Sequence, residues 1–247
     1  MSVLLWILGA TIANSLVALA GAFTLFCSEK TLDRILFALV GFSAGALLAG
    51  AFFHLIIEAL EAIGDSMVVF LFVFAGFIVF FLIERVLHWH HCHLGICEVH
   101  PMGHLILIGD GIHNFIDGLV IAASFLVSIS FGVITTIIII GHELPQELGD
   151  FGVLIQSGFS KKKALFYNFI SQVTSVVGGL IGFFFSTSLG FSQFLLPFAA
   201  GGFIYIAASD LVPELHKESD LKKSFGAFVF FLLGIGFMVG LKLIFGG

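Results

Sequence analysis

The chain has 247 residues, of which 59% are hydrophobic and 11% charged, with a formal net charge of -6. A soluble domain carries about 25% charged residues, so most of this surface cannot face water and the chain reads as an integral membrane protein in a lipid bilayer. The modest negative charge excludes a nucleic-acid-binding face, and an odd number of cysteines (Cys27, Cys92 and Cys97) gives no disulfide framework.

The N-terminus lacks a basic stretch and its apolar run is too long for a signal sequence, so it reads as a retained first span. Apolar segments of about 20 residues mark membrane-crossing helices. Eight follow one another, at 2–26, 34–60, 66–88, 103–128, 131–158, 163–187, 191–213 and 224–245. The connections are short, so residues 1–247 are expected to form a single all-α transmembrane domain. Lys and Arg then set the orientation. Lys30, Arg34, Arg85, Lys161 to Lys163, Lys217, Lys222 and Lys223 all fall beside odd-numbered loops, and only Lys242 stands outside the pattern. Both termini are therefore expected on the non-cytoplasmic side.

Two stretches resemble each other at a constant offset. Phe42-Ser-Ala-Gly45 through His54 and Glu58 matches Phe198-Ala-Ala-Gly201 through Asp210 and Glu214. They lie on the second and seventh spans, which run in opposite directions. The match therefore implies an inverted repeat (3+2+3), a common plan for proteins that alternate access. It places His54 and Glu58 near the outer mouth, and Asp210 and Glu214 near the inner one.

The fourth and fifth spans carry polar groups where lipid forbids them. The fourth reads His113-Asn114-Phe-Ile-Asp117-Gly, and the fifth His142-Glu143-Leu-Pro145-Gln146-Glu147-Leu-Gly-Asp150. His113 lies about 15 Å into its span at 1.5 Å per residue, and His142 lies at a similar depth from the other side. His113 with Asp117, His142 with Gln146 and Glu143 with Glu147 are four apart and share helix faces. Asp150 extends that face by a turn. Leaving Asp117, Glu143 and Glu147 against lipid would cost about 8–10 kcal/mol, so they must face protein, water or a cation. Imidazole, carboxylate and amide donors suit zinc, iron(II), manganese, cobalt or cadmium rather than calcium. Pro145 removes one backbone hydrogen bond and frees the carbonyl near Gly141. On the sixth span, Asn168, Ser171 and Gln172 are further neutral candidates.

These two motifs, on the fourth and fifth of eight spans, resemble those of the ZIP (Zrt/Irt-like) metal transporters. The resemblance implies divalent metal, zinc first, moving into the cytoplasm across the cell (plasma or inner) membrane, with a homodimer as the assembly. It implies that His113, Asp117, His142 and Gln146 hold one metal, and that Asn114 and Glu143 hold an adjacent one. It also implies that spans one, four, five and six slide as a block against the others. Gln146 stands where many relatives have His or Glu. Metal is then the transported substrate, with no catalytic cofactor and no catalytic residue.

A route follows from these assignments. Ions pass the outer mouth, bind the cage and leave past Glu147, Asp150, Asp210 and Glu214. The third loop, 88–104, is expected on the cytoplasmic side, where thiols stay reduced. It would bind metal through His88, His90, His91, Cys92, His93, Cys97, His100 and His104. Trp6, Trp89 and Tyr205 read as interfacial or packing aromatics. Two other readings remain open at this point. His142-Glu143-x-x-Gln146 nearly spells the His-Glu-x-x-His signature of a zinc metalloprotease, here an intramembrane one. A non-transporting metal sensor would use the same cage.

Overall fold

The computed structural model describes residues 2–26, 29–89, 99–189 and 192–245, and among them every regular element is a helix. Eight helices are long and apolar enough to cross a membrane: Val3–Ala22, Arg34–Ile63, Ser66–Arg85, Leu107–Val127, Ile129–Ile155, Lys161–Phe185, Gln193–His216 and Leu221–Ile244. They are called spans one to eight. Two expected boundaries shift: the second helix begins at Glu29 and the fourth at Val99. Residues 99–104 of the expected loop are therefore helical, as are residues 88 and 89.

Local chemistry sets the helix ends. Gly64, at φ +75°, takes the left-handed conformation that closes span two, where a side chain would be strained. Asp65 then accepts from the Met67 N–H at 2.9 Å to start span three. Asp220 does the same for span eight, through the Lys222 N–H at 2.8 Å. Spans four and five are joined by Ser128 alone, whose hydroxyl accepts from the Phe131 N–H at 3.1 Å.

The inverted repeat is visible in the packing. Span two lies along span eight, and span seven lies along span three. These pairs cross at glycines, because only glycine lets two backbones approach this closely. A Cβ at Gly45 would lie 2.0 Å from the Phe231 carbonyl oxygen, and one at Gly201 would lie 1.9 Å from that of Val73. Reciprocally, one at Gly234 would meet the Phe42 oxygen at 2.1 Å, and one at Gly76 the Phe198 oxygen at 1.8 Å. Gly45 and Phe42 are the repeat partners of Gly201 and Phe198. Each repeat helix also carries a π-helical turn at the matched place, Gly50–Leu55 in span two and Ala207–Leu211 in span seven.

Spans one, four, five and six form one packed group, and spans two, three, seven and eight the other. Spans four, five and seven are 56% buried over their most apolar stretch, against 17% for spans three and eight. The central helices therefore carry the polar residues, and the peripheral pair faces lipid.

Candidate metal centre

Span four brings His113, Asn114 and Asp117 to the face it turns toward span five, which answers with His142, Glu143 and Glu147. His113 Nε2 lies 3.1 Å from His142 Nε2 and 3.1 Å from Glu143 Oε1. His142 Nε2 lies 3.3 Å from Asp117 Oδ2 and 3.4 Å from Glu143 Oε1. The ligand atoms of His113, Asp117, His142 and Glu143 all fall within 4.8 Å of one another. Asp117 and Glu143 are fully buried, and His142 is 2% exposed.

This geometry differs from ordinary pairing. Four atoms converge on one point, and one proton per imidazole cannot serve every contact. Asp117 Oδ1 and Oδ2 and Glu143 Oε1 receive no directed hydrogen bond, although buried carboxylate oxygens without partners are costly. His142 Nδ1 lies 3.3 Å from the Ile138 carbonyl, a contact that assigns the proton to Nδ1 and leaves the Nε2 lone pair facing the cluster. Phe80 meets His113 edge-on at 6.0 Å, and Phe203 lies 5.5 Å from His142, so both rings are braced from spans three and seven. Pro145 frees the Gly141 carbonyl as expected, and the Ser43 hydroxyl donates to it at 2.7 Å. That bond ties span two to span five beside the site.

A second group adjoins the first. Asp110, Glu143 and Glu147 place carboxylate oxygens within 4.8 Å of one another, with Glu143 shared by both groups. Neutral amides hold these acids. Asn114 Nδ2 donates to Asp110 Oδ1 at 2.8 Å, and Gln146 Nε2 donates to the same oxygen at 3.2 Å. Asn168 donates to Glu147, and Gln172 Nε2 donates to Glu143 Oε2 at 2.8 Å. Glu143 thus completes the four-residue cluster, while the Gln146 amide points to Asp110. Asp110 was not read from the sequence. Its signal was there, since it stands four residues before Asn114 and seven before Asp117 on one helical stripe.

A cavity of about 520 Å³ runs from the cluster toward the end of the bundle bearing the lysines, lined in part by Glu84, Asp110, His113, Gln146, Asp150 and Asp210. Glu84 is a second acid that the sequence reading passed over. It accepts from the Tyr205 hydroxyl, so Tyr205 carries a polar contact besides its packing. Glu214 lies outside this cavity, paired at 2.5 Å with Lys217 on the surface. Toward the opposite end Leu47, Ile121, Ile138 and Phe203 are each 2% exposed or less. His54 sits there, 1% exposed with Nε2 2.9 Å from the Met238 carbonyl, and Glu58 is half-buried one turn beyond. His90, His91, Cys92, His93 and Cys97 lie outside the described residues, as do the side chains of His88, His100 and His104.

Fold and site together define a helical membrane protein built around a buried His and carboxylate cage. The chain matches the family described as ZIP Zinc transporter over residues 3–97 and 90–242, and it belongs to that family. That is a family of transporters, which removes the metalloprotease reading. Among similar proteins, the zinc transporter foi of Drosophila melanogaster is 42% identical over 140 residues, covering 57% of this chain and 19% of that protein. The zinc transporter ZIP13 of Pongo abelii is 33% identical over 220 residues, covering 81% of this chain and 65% of that protein. The metal cation symporter ZIP14 of Bos taurus is 38% identical over 146 residues, covering 58% of this chain and 29% of that protein. The chain thus spans from 19% to 65% of these relatives' lengths.

Proposed function

We propose that this chain carries divalent transition-metal ions, zinc foremost, across the cell membrane into the cytoplasm. The observation that carries the reading is the convergence of His113, Asp117, His142 and Glu143, with ligand atoms within 4.8 Å and unpaired oxygens among them. Two imidazoles and two carboxylates are a donor set suited to zinc, and equally to iron(II), manganese or cobalt. The names of foi and ZIP13 favour zinc, and that of ZIP14 favours a wider range of metals.

In this reading the basic end of the bundle is cytoplasmic. The metal ion, as substrate, arrives past His54 and Glu58 and exchanges its water for the four-residue cluster. The shared Glu143 hands it toward Asp110 and Glu147, with Asn114 and Gln146 orienting the acids. It leaves along the cavity past Asp150 and Asp210 and then Glu214, toward the His- and Cys-bearing segment at 88–104. Low pH weakens binding, because imidazole must be neutral to ligate.

Uptake into proteoliposomes tests the proposal, with zinc, iron(II), manganese, cobalt and cadmium in competition. Saturable uptake with zinc preferred is the expected result. Tight metal binding without any uptake would instead establish a sensor.

A further inference from the structure

The repeat predicts what the other end of the molecule looks like when it opens. The reciprocal glycine crossings set the register between spans three and eight: Val73 matches Phe231, and Gly76 matches Gly234. Continued along the helices, Phe80, Ile83 and Glu84 match Met238, Leu241 and Lys242. On the other repeat pair, Ile206 and Asp210 match Gly50 and His54. Phe80, Ile83, Glu84, Ile206 and Asp210 line the open cavity. Among their counterparts Gly50, His54 and Met238 are shut away, while Leu241 and Lys242 are half-buried. Met238 is fully buried, His54 is 1% exposed, and the His54–Met238 contact spans the seam between spans two and eight. In inverted-repeat carriers the halves exchange conformations to open the opposite face.

The two vestibules differ in charge. Glu84 and Asp210 make the open one acidic, whereas Lys242 and His54 stand at the matched places in the closed one. Lys242 lies within electrostatic range of both His54 and Glu58, where its influence is smaller than that of burial and, at Glu58, of Glu61, and it holds no ion pair among the described residues. It is also the one basic residue outside the charge asymmetry of the loops.

We propose that Lys242 lines the outward-open vestibule beside His54 and Glu58, and that its charge sets how readily a divalent cation reaches the cage from outside. The proposal rests on the transport reading. Acid on the cytoplasmic side draws the ion through, while a fixed ammonium outside raises the external concentration needed to load the cage. The repulsion acts alike on every divalent cation, so discrimination among metals is left to the ligands of the cage.

The test is zinc uptake by full-length protein carrying Lys242→Gln, Lys242→Glu or Lys242→Arg. Neutralisation is expected to lower KM about threefold to tenfold with kcat unchanged, reversal to lower it further, and Arg to preserve the wild-type value. Uptake in which all three match the wild type overturns the proposal, as does an Arg variant that behaves like Gln. A second measurement does not depend on transport. With Cys27, Cys92 and Cys97 replaced by Ser, His54→Cys is labelled from outside by cationic and anionic methanethiosulfonates. Adding Lys242→Gln is expected to raise the cationic-to-anionic rate ratio about tenfold. An unchanged ratio, or no labelling at all, refutes the placement of Lys242. Absent wild-type uptake would sink the transport reading alone, and the labelling would still decide the question of Lys242.

Discussion

Two groups of buried carboxylates share Glu143 and are held in different ways. In the first, Asp117 and Glu143 Oε1 face imidazole nitrogens and receive no directed hydrogen bond. In the second, amides reach every acid: Asn114 and Gln146 at Asp110, Asn168 at Glu147 and Gln172 at Glu143 Oε2. An amide fixes a carboxylate in place without neutralising it. An imidazole lone pair does the reverse, offering electrons to a cation and little restraint to an acid. On the proposed function the first group would be completed by an ion, whereas the second is held in place by its amides even though Asp110 Oδ2 and Glu147 Oε1 also lack partners.

The largest effect that can break this contrast comes from the imidazoles. His113→Ala or His142→Ala is expected to reduce zinc uptake at least 100-fold while leaving expression and the monodisperse gel-filtration profile intact. Near-normal uptake in either variant would remove the cluster from the route. Next comes a tether. Gln172→Leu strips a donor from Glu143 and from the Asn14 carbonyl, so thermal melting in detergent should show a loss of about 1–3 kcal/mol. A loss under about 0.5 kcal/mol would mean that these amides do not restrain the acids.

Gln146→His sharpens the boundary between the groups. A third imidazole beside the cluster is expected to tighten zinc binding about tenfold and to slow release, as read by calorimetry and efflux. Unchanged affinity would assign position 146 to Asp110 alone. The smallest effect serves as the control. The Asp220 N–H and then the Lys223 ammonium hold the Glu218 carboxyl below its usual range. A carboxyl whose pKa is depressed in the folded state adds stability above its unfolded pKa and loses it as pH falls through the folded value. Glu218→Gln should therefore lower Tm slightly at neutral pH, with the gap closing in acid and no change in zinc uptake.

The number of spans was legible from apolar length alone, and the paired motifs were legible because i,i+4 spacing survives in any helix. Pro145 also announced its consequence, since a missing N–H always leaves a carbonyl for some donor, here Ser43. What the sequence hid was partnership across helices. Asp110 sits between two glycines and looked unconnected until Asn114 and Gln146 were seen to converge on it. Glu84, beside Arg85 at the end of its span, drew no reading from the sequence, and the fold turns it to Tyr205 and the cavity. The π-helical turns left no trace in composition, because one extra residue per turn changes the face a helix presents without changing its hydropathy. Span six was read as a source of neutral groups, and Asn168, Ser171 and Gln172 are indeed buried there, at 6% exposure or less.

Ser128 is the whole of the connection between spans four and five, and its hydroxyl holds the start of the second helix. A hinge needs slack, and one residue supplies none. If the chain transports metal as proposed, the two helices that carry His113, Asp117, His142 and Glu143 would travel as a single stiff fork whose tines keep their spacing. On that proposal the cage would reach each face of the membrane without being dismantled between them, and the cost of crossing would be borne where the fork slides past its neighbours rather than at the ion itself. Lengthening the link by a few flexible residues would turn that fork into two independent rods, and a bound ion would feel the difference as jitter in its own coordination.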